Sequence, residues 1–116
     1  MDNNLDFVLL HVPDLAAARA FYTEKLGFAV ESEAPGFIQF RRPAGAIFAL
    51  QQDDAAKPYA GVELWWLVEN ADEAHADLSA RGIPIVAPLA DQPFGRAFSF
   101  TDPAGNTLNV FQPRKA

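Results

Sequence analysis

Phe7-Val8-Leu9-Leu10-His11-Val12 is an almost unbroken apolar, β-prone run that stops at Pro13, the pattern of a strand covered on both faces. The period then changes. Behind Asp14, a good N-cap, Leu15, Ala18, Phe21, Tyr22 and Leu26 recur at three- and four-residue spacing and predict a helix that Gly27 ends. Strands are expected at 28–33, 37–41 and 46–51, separated by the turns Ala34-Pro35-Gly36 and Pro43-Ala44-Gly45. The first half thus reads β-α-β-β-β.

After an aperiodic connection over 52–60 the order repeats: a strand at 62–69, a helix from the cap Asn70 to Arg81 stopped by Gly82, then strands at 83–87, 96–101 and 107–112. Phe40 to Leu50 matches Phe100 to Val110 at a constant offset of 60, both carrying Pro-Ala-Gly, while the two caps lie 56 apart. Such self-similarity marks a duplicated unit. The chain is expected to be one domain, 1–116, of two modules (5–51 and 61–113) joined by the linker 52–60. The extra residues of the second module fall in Pro88 to Gly95, a loop long enough to overhang a site as a lid.

At 116 residues with half of them apolar, the chain can bury a core. A net charge of −6 argues against nucleic acid and anionic membranes, and fits a neutral or cationic small ligand. With no cysteine there are no disulfides, thiolate metal sites or cysteine nucleophile. Met1-Asp2-Asn3-Asn4 is no signal-peptide start, and no stretch approaches the ~18 apolar residues of a membrane helix, so a cytoplasmic protein is expected.

The duplicated pattern, with Val12-Pro13-Asp14-Leu15, Phe21-Tyr22, Leu26-Gly27-Phe28 and Phe100-Thr101-Asp102-Pro103-Ala104-Gly105-Asn106, resembles the vicinal oxygen chelate superfamily of glyoxalase I, extradiol dioxygenases and bleomycin resistance proteins. The resemblance implies an α+β fold in which two tandem β-α-β-β-β modules form a cup-shaped mixed sheet with helices on its outer face, and a homodimer. It also implies metal ligands, commonly two His and one Glu, on the first and last strands of the modules. Those positions fall on Phe7, Glu63, Asn109 and, nearby, Ala49. One carboxylate without an imidazole lacks the three convergent donors a transition metal needs, so no metal and no cofactor are expected.

Residues two apart on a strand share a face. If the ligand positions face the cup, Phe7, Leu9, His11, Phe37, Gln39, Arg41, Ile47, Ala49, Gln51, Glu63, Trp65, Leu67, Ala97, Ser99, Thr101, Thr107, Asn109 and Phe111 point inward. Val8, Leu10, Val12, Phe48, Leu50, Val62, Leu64, Trp66, Val68, Phe98, Phe100, Leu108 and Val110 then face the helices. The expected ligand-binding set is Phe7, Leu9, His11, Phe37, Gln39, Arg41, Glu63, Trp65, Arg96, Asn109 and Phe111: aromatic walls with scattered polar groups, suited to an aromatic or cationic small molecule. His11, its tautomer set by Glu63, is the candidate catalytic pair; Glu63 could instead pair with Arg41 or Arg96. His75, between acidic residues on the second helix, reads as a solvated side chain. The leading expectation is a metal-free binding protein resembling the bleomycin resistance branch, with an enzyme or a regulatory module as alternatives.

Overall fold

A computed structural model describes residues 1–114; the last two positions of the expected 1–116 domain lie outside the described residues. The chain divides into two compact units, the first ending at Lys57 and the second beginning at Pro58. Each is taken by itself.

The first unit contains β1 (Phe7–Val12), α1 (Leu15–Ala20) continuing into a π-helical turn (Phe21–Lys25), β2 (Val30–Ala34), β3 (Phe37–Phe40) and β4 (Ile47–Gln52). Its sheet order is β1-β4-β3-β2, with β1 parallel to β4 and the other pairs antiparallel. The second contains β5 (Leu64–Leu67), α2 (Ala71–Ala80), β6 (Ile85–Gln92), β7 (Gly95–Thr101) and β8 (Thr107–Pro113), in the order β5-β8-β7-β6 with the same parallel first pair. The fold is α+β: two four-stranded mixed sheets, each with one helical segment, wound alike.

The alternation assigns the faces correctly almost everywhere. In β1, Leu10 and Val12 are buried while Phe7, Leu9 and His11 are exposed. Leu10 pairs with Leu50, and Leu50 with Ile38, so one row of one face joins three strands. Tyr22 fills the centre of that packed side against Phe28, Phe40 and Phe48, with ring centroids 5.4–5.8 Å apart. In the second unit Phe98, Phe100, Leu108 and Val110 form the matching buried surface. Val62 departs from its assignment: it precedes β5 and is exposed.

Five local readings change. The first helix does not stay α-helical to Leu26: Leu26 N–H bonds back to Phe21 O, five residues earlier, and the Thr23 hydroxyl takes the Arg19 carbonyl at 2.7 Å. The wider turn lets the adjacent Phe21 and Tyr22 both be buried. β2 starts at Val30, because Phe28 belongs to the aromatic core, and β5 is only Leu64–Leu67. The expected lid does not exist: Pro88 to Gln92 continues β6, paired with β7 through two register shifts, and only Pro93-Phe94 turns. Most of the extra residues lengthen the β6–β7 hairpin as paired strand, and the register shifts take up the rest while keeping the pairing. His75 is half-buried, its ring edge-on to Phe98 at 5.2 Å, because α2 lays that position over the sheet.

Within the stretch read as a linker, backbone N–H groups are bonded in each unit. Gln52 belongs to β4, the Asp53 N–H donates to Val12 O at 2.9 Å, and in the second unit the Tyr59 N–H donates to Asn106 Oδ1 at 2.9 Å while its hydroxyl donates to Thr107 O.

Candidate functional site

In the second unit, register places Trp65 beside Asn109 and Asn109 beside Ser99, with Leu67, Phe111 and Ala97 in the next row. This is the face away from Trp66, Val110 and Phe98. Trp65 is 40% exposed, and its ring meets Phe94 and Phe111 edge-on at 5.4 and 5.8 Å. Phe94 and Phe111 lie 6.2 Å apart. The three rings line a wholly apolar recess of about 330 Å³. Phe94, 49% exposed, was not among the expected site residues because it sat in the presumed loop. The signal was available: a bulky aromatic between Pro93 and Gly95 has no local reason to be exposed.

The hairpin tip that carries Phe94 is held from behind. Arg114 N–H donates to Phe94 O at 3.0 Å. Gly95 passes so close to β8 that a Cβ there would lie 2.1 Å from Gln112 O, at φ 151°, where only glycine sits easily. Arg96, expected at the mouth of the site, instead grips two carboxylates: Nε and Nη2 donate to Asp72 of α2 at 3.0 and 3.1 Å, and Nη1 to Asp91 at 3.1 Å. Its hydrogen bonds hold Asp72 below the ordinary carboxylate range. Both edges of the guanidinium are engaged, which ties the hairpin to α2.

Two other expected contacts are committed to the structure. Asn109 is buried, accepting from the Ser99 hydroxyl at 2.6 Å and donating to Leu64 O at 3.0 Å. Glu63, just ahead of β5, accepts from the Trp65 indole N–H at 2.9 Å. It takes no part in an Arg96 pair and steers the indole instead. Asp102 and Asn106 organise their turn: Asp102 Oδ1 accepts from the N–H groups of Ala104 and Asn106.

In the first unit Phe7, Leu9, His11, Phe37, Gln39, Ile47, Ala49 and Gln51 share the face away from the helix, as register requires. Phe7 and Leu9 are each 39% exposed, whereas Ala49 is fully buried among its neighbours. Arg41 lies beyond β3, mostly exposed, with Glu31 at 3.5 Å as its partner. The carboxylate at His11 is Asp53, 2.9 Å from Nδ1. The residue next to the strand end wins because β1 runs parallel to β4 and brings Asp53 alongside His11.

A model of the Glyoxalase/Bleomycin resistance protein/Dioxygenase superfamily matches residues 4–110. The chain belongs to that superfamily. Among solved structures, a superfamily protein from Nocardioides is 31% identical over 100% of this chain and 87% of its own, with TM-score 0.78. TnmS3, an antibiotic binding protein from Streptomyces sp. CB03234, is 25% identical, with 97% and 98% coverage and TM-score 0.84. A lactoylglutathione lyase from Agrobacterium tumefaciens shares the fold at 21% identity, with 96% and 94% coverage and TM-score 0.76. No curated protein matches.

The positions where metal-dependent members of the superfamily carry ligands do not suit a metal here. Phe7 offers a phenyl ring, Ala49 a buried methyl and Asn109 a carboxamide already bonded at both ends, while Glu63 holds the Trp65 indole. Among the described residues no three His, Asp or Glu side chains group as a metal site would.

Proposed function

We propose that this protein is a small-molecule binding member of the superfamily that captures a flat aromatic ligand, a drug or metabolite, on Trp65, Phe94 and Phe111 without transforming it. The observation that carries the reading is the half-exposed edge-to-face trio. Burying such rings in the core would be worth ~25 cal/mol per Å² of apolar area, so leaving them at the surface suits a ligand that completes the burial. The indole's polar edge is already satisfied by Glu63, which leaves its faces for stacking. Likeness to an antibiotic binding protein over nearly the whole chain supports the same reading.

The test is tryptophan fluorescence and thermal-shift titration with a panel of planar aromatic antibiotics. Saturable quenching that Trp65→Ala and Phe94→Ala both weaken at least tenfold is the expected result. Binding untouched by either change, or a stoichiometric divalent metal in the purified protein, overturns the reading.

A further inference from the structure

His11 and Asp53 lie on the first unit's exposed sheet face, on residues the aromatic recess does not use. Asp53 is fixed three ways: Oδ2 lies 2.9 Å from His11 Nδ1, Oδ1 accepts from the Ala55 N–H at 3.0 Å, and the backbone N–H extends the β1–β4 ladder by bonding Val12 O at 2.9 Å. The His11 hydrogen bond, then that of Ala55, keep Asp53 below the ordinary carboxylate range. An ionised carboxylate can only accept, so His11 donates from Nδ1, and in the tautomer this selects the lone pair lies at Nε2.

The neighbouring carboxylates are occupied elsewhere. Asp54 takes the Gln52 amide at 2.7 Å, and Asp14 caps α1. Across the strands His11 shares a row with Gln51 and Phe37, with Leu9, Ala49 and Gln39 in the next row. Pairs such as Arg19–Glu33 join long, flexible side chains; here a short carboxylate locked in a turn orients a ring rooted in a strand.

We propose that His11 and Asp53 form an acid–base pair whose Nε2 takes the proton of an O–H-acidic aromatic ligand, a phenol or an enol, bound over Phe37 and Gln51. In the transfer the ligand O–H bond breaks and an Nε2–H bond forms. The electron pair stays on oxygen, and the resulting imidazolium remains paired with Asp53, so no co-reactant is needed.

The test uses the intact protein and 4-nitrophenol as probe, followed by nitrogen-15 NMR of the histidine rings and by the phenolate absorbance. The chain has two histidines, so His75 is the internal control. Neutral His11 is expected as the Nδ1–H tautomer; the probe should shift its Nε2 resonance, leave His75 unmoved and gain phenolate absorbance. His11→Phe should weaken probe binding about ten- to a hundredfold, the value of one hydrogen bond to a charged group. Asp53→Asn should keep the fold and release the tautomer. In Trp65→Ala the His11 response should persist, which separates this site from the aromatic recess. An Nε2–H tautomer in the native protein, or His11 resonances that do not respond to the probe, overturns the proposal.

Discussion

Gln52 and Gln112, sixty positions apart, make the same bond: the first accepts the Leu15 N–H at 2.8 Å and the second the Ala71 N–H at 2.9 Å. Each closes the start of its unit's helix from the end of the last strand, beside the side-chain caps Asp14 and Asn70. The relation ties strand to helix in both units and satisfies a backbone donor left over by the helix itself. Replacing either glutamine with alanine should cost about 1 kcal/mol, seen as a lowered urea midpoint with an unchanged slope.

Trp65 and Trp66 should separate binding from stability. Trp65→Ala removes an exposed ring and two edge-to-face contacts, so about 1 kcal/mol of stability is expected to go with the ligand. Trp66 lies half-buried in the row of Val110 and Phe98, and its loss should cost about 3 kcal/mol through the cavity it leaves. Equal destabilisation in chemical denaturation would contradict the assigned faces.

Gly95→Ala should be the most damaging single change at the hairpin. The new Cβ meets the backbone oxygen of Gln112, which cannot rotate away, at a φ that side chains avoid. A loss of about 3 kcal/mol is expected, together with loss of the Trp65 fluorescence signature as Phe94 moves. Unchanged emission and melting would mean the strands can part there freely.

Acid should loosen the same hairpin. Because Arg96 depresses the folded-state pKa of Asp72, the pair contributes stability above the ordinary aspartate range, and that contribution disappears as pH falls through the depressed value. Asp53, depressed by His11 and Ala55, behaves in the same direction. Melting temperature should therefore hold from neutrality to about pH 5 and drop below about pH 4. Asp72→Asn should flatten that acid limb, and high salt should do so in part, since the pair is at the surface.

Much of the architecture could be read before any coordinates. Alternation in Phe7–Val12 and in the last strand sorted Leu10, Val12, Leu108 and Val110 toward the helices, and the Pro-Ala-Gly repeat predicted two units wound alike. The candidate site was legible only in part. Parity placed Trp65 and Phe111 on one face, whereas Phe94 gave no such signal because β6 runs on through an apparent loop. Asp53 was not legible, because it lies one residue beyond β4 and a turn with Ala55 fixes its carboxylate at His11.

Sequence by itself determined what repeats locally: the period of two that gives each strand its faces, the period near three and a half that gives the helices theirs, and the caps that start them. The tertiary structure alone decided the partners. His11 took Asp53, Glu63 took Trp65, and Arg96 took Asp72 and Asp91, because contact between side chains distant in the chain depends on inter-strand register and bulge position. Those are set by how whole sheets and helices pack, a sum over many weak contacts that no short window of residues contains.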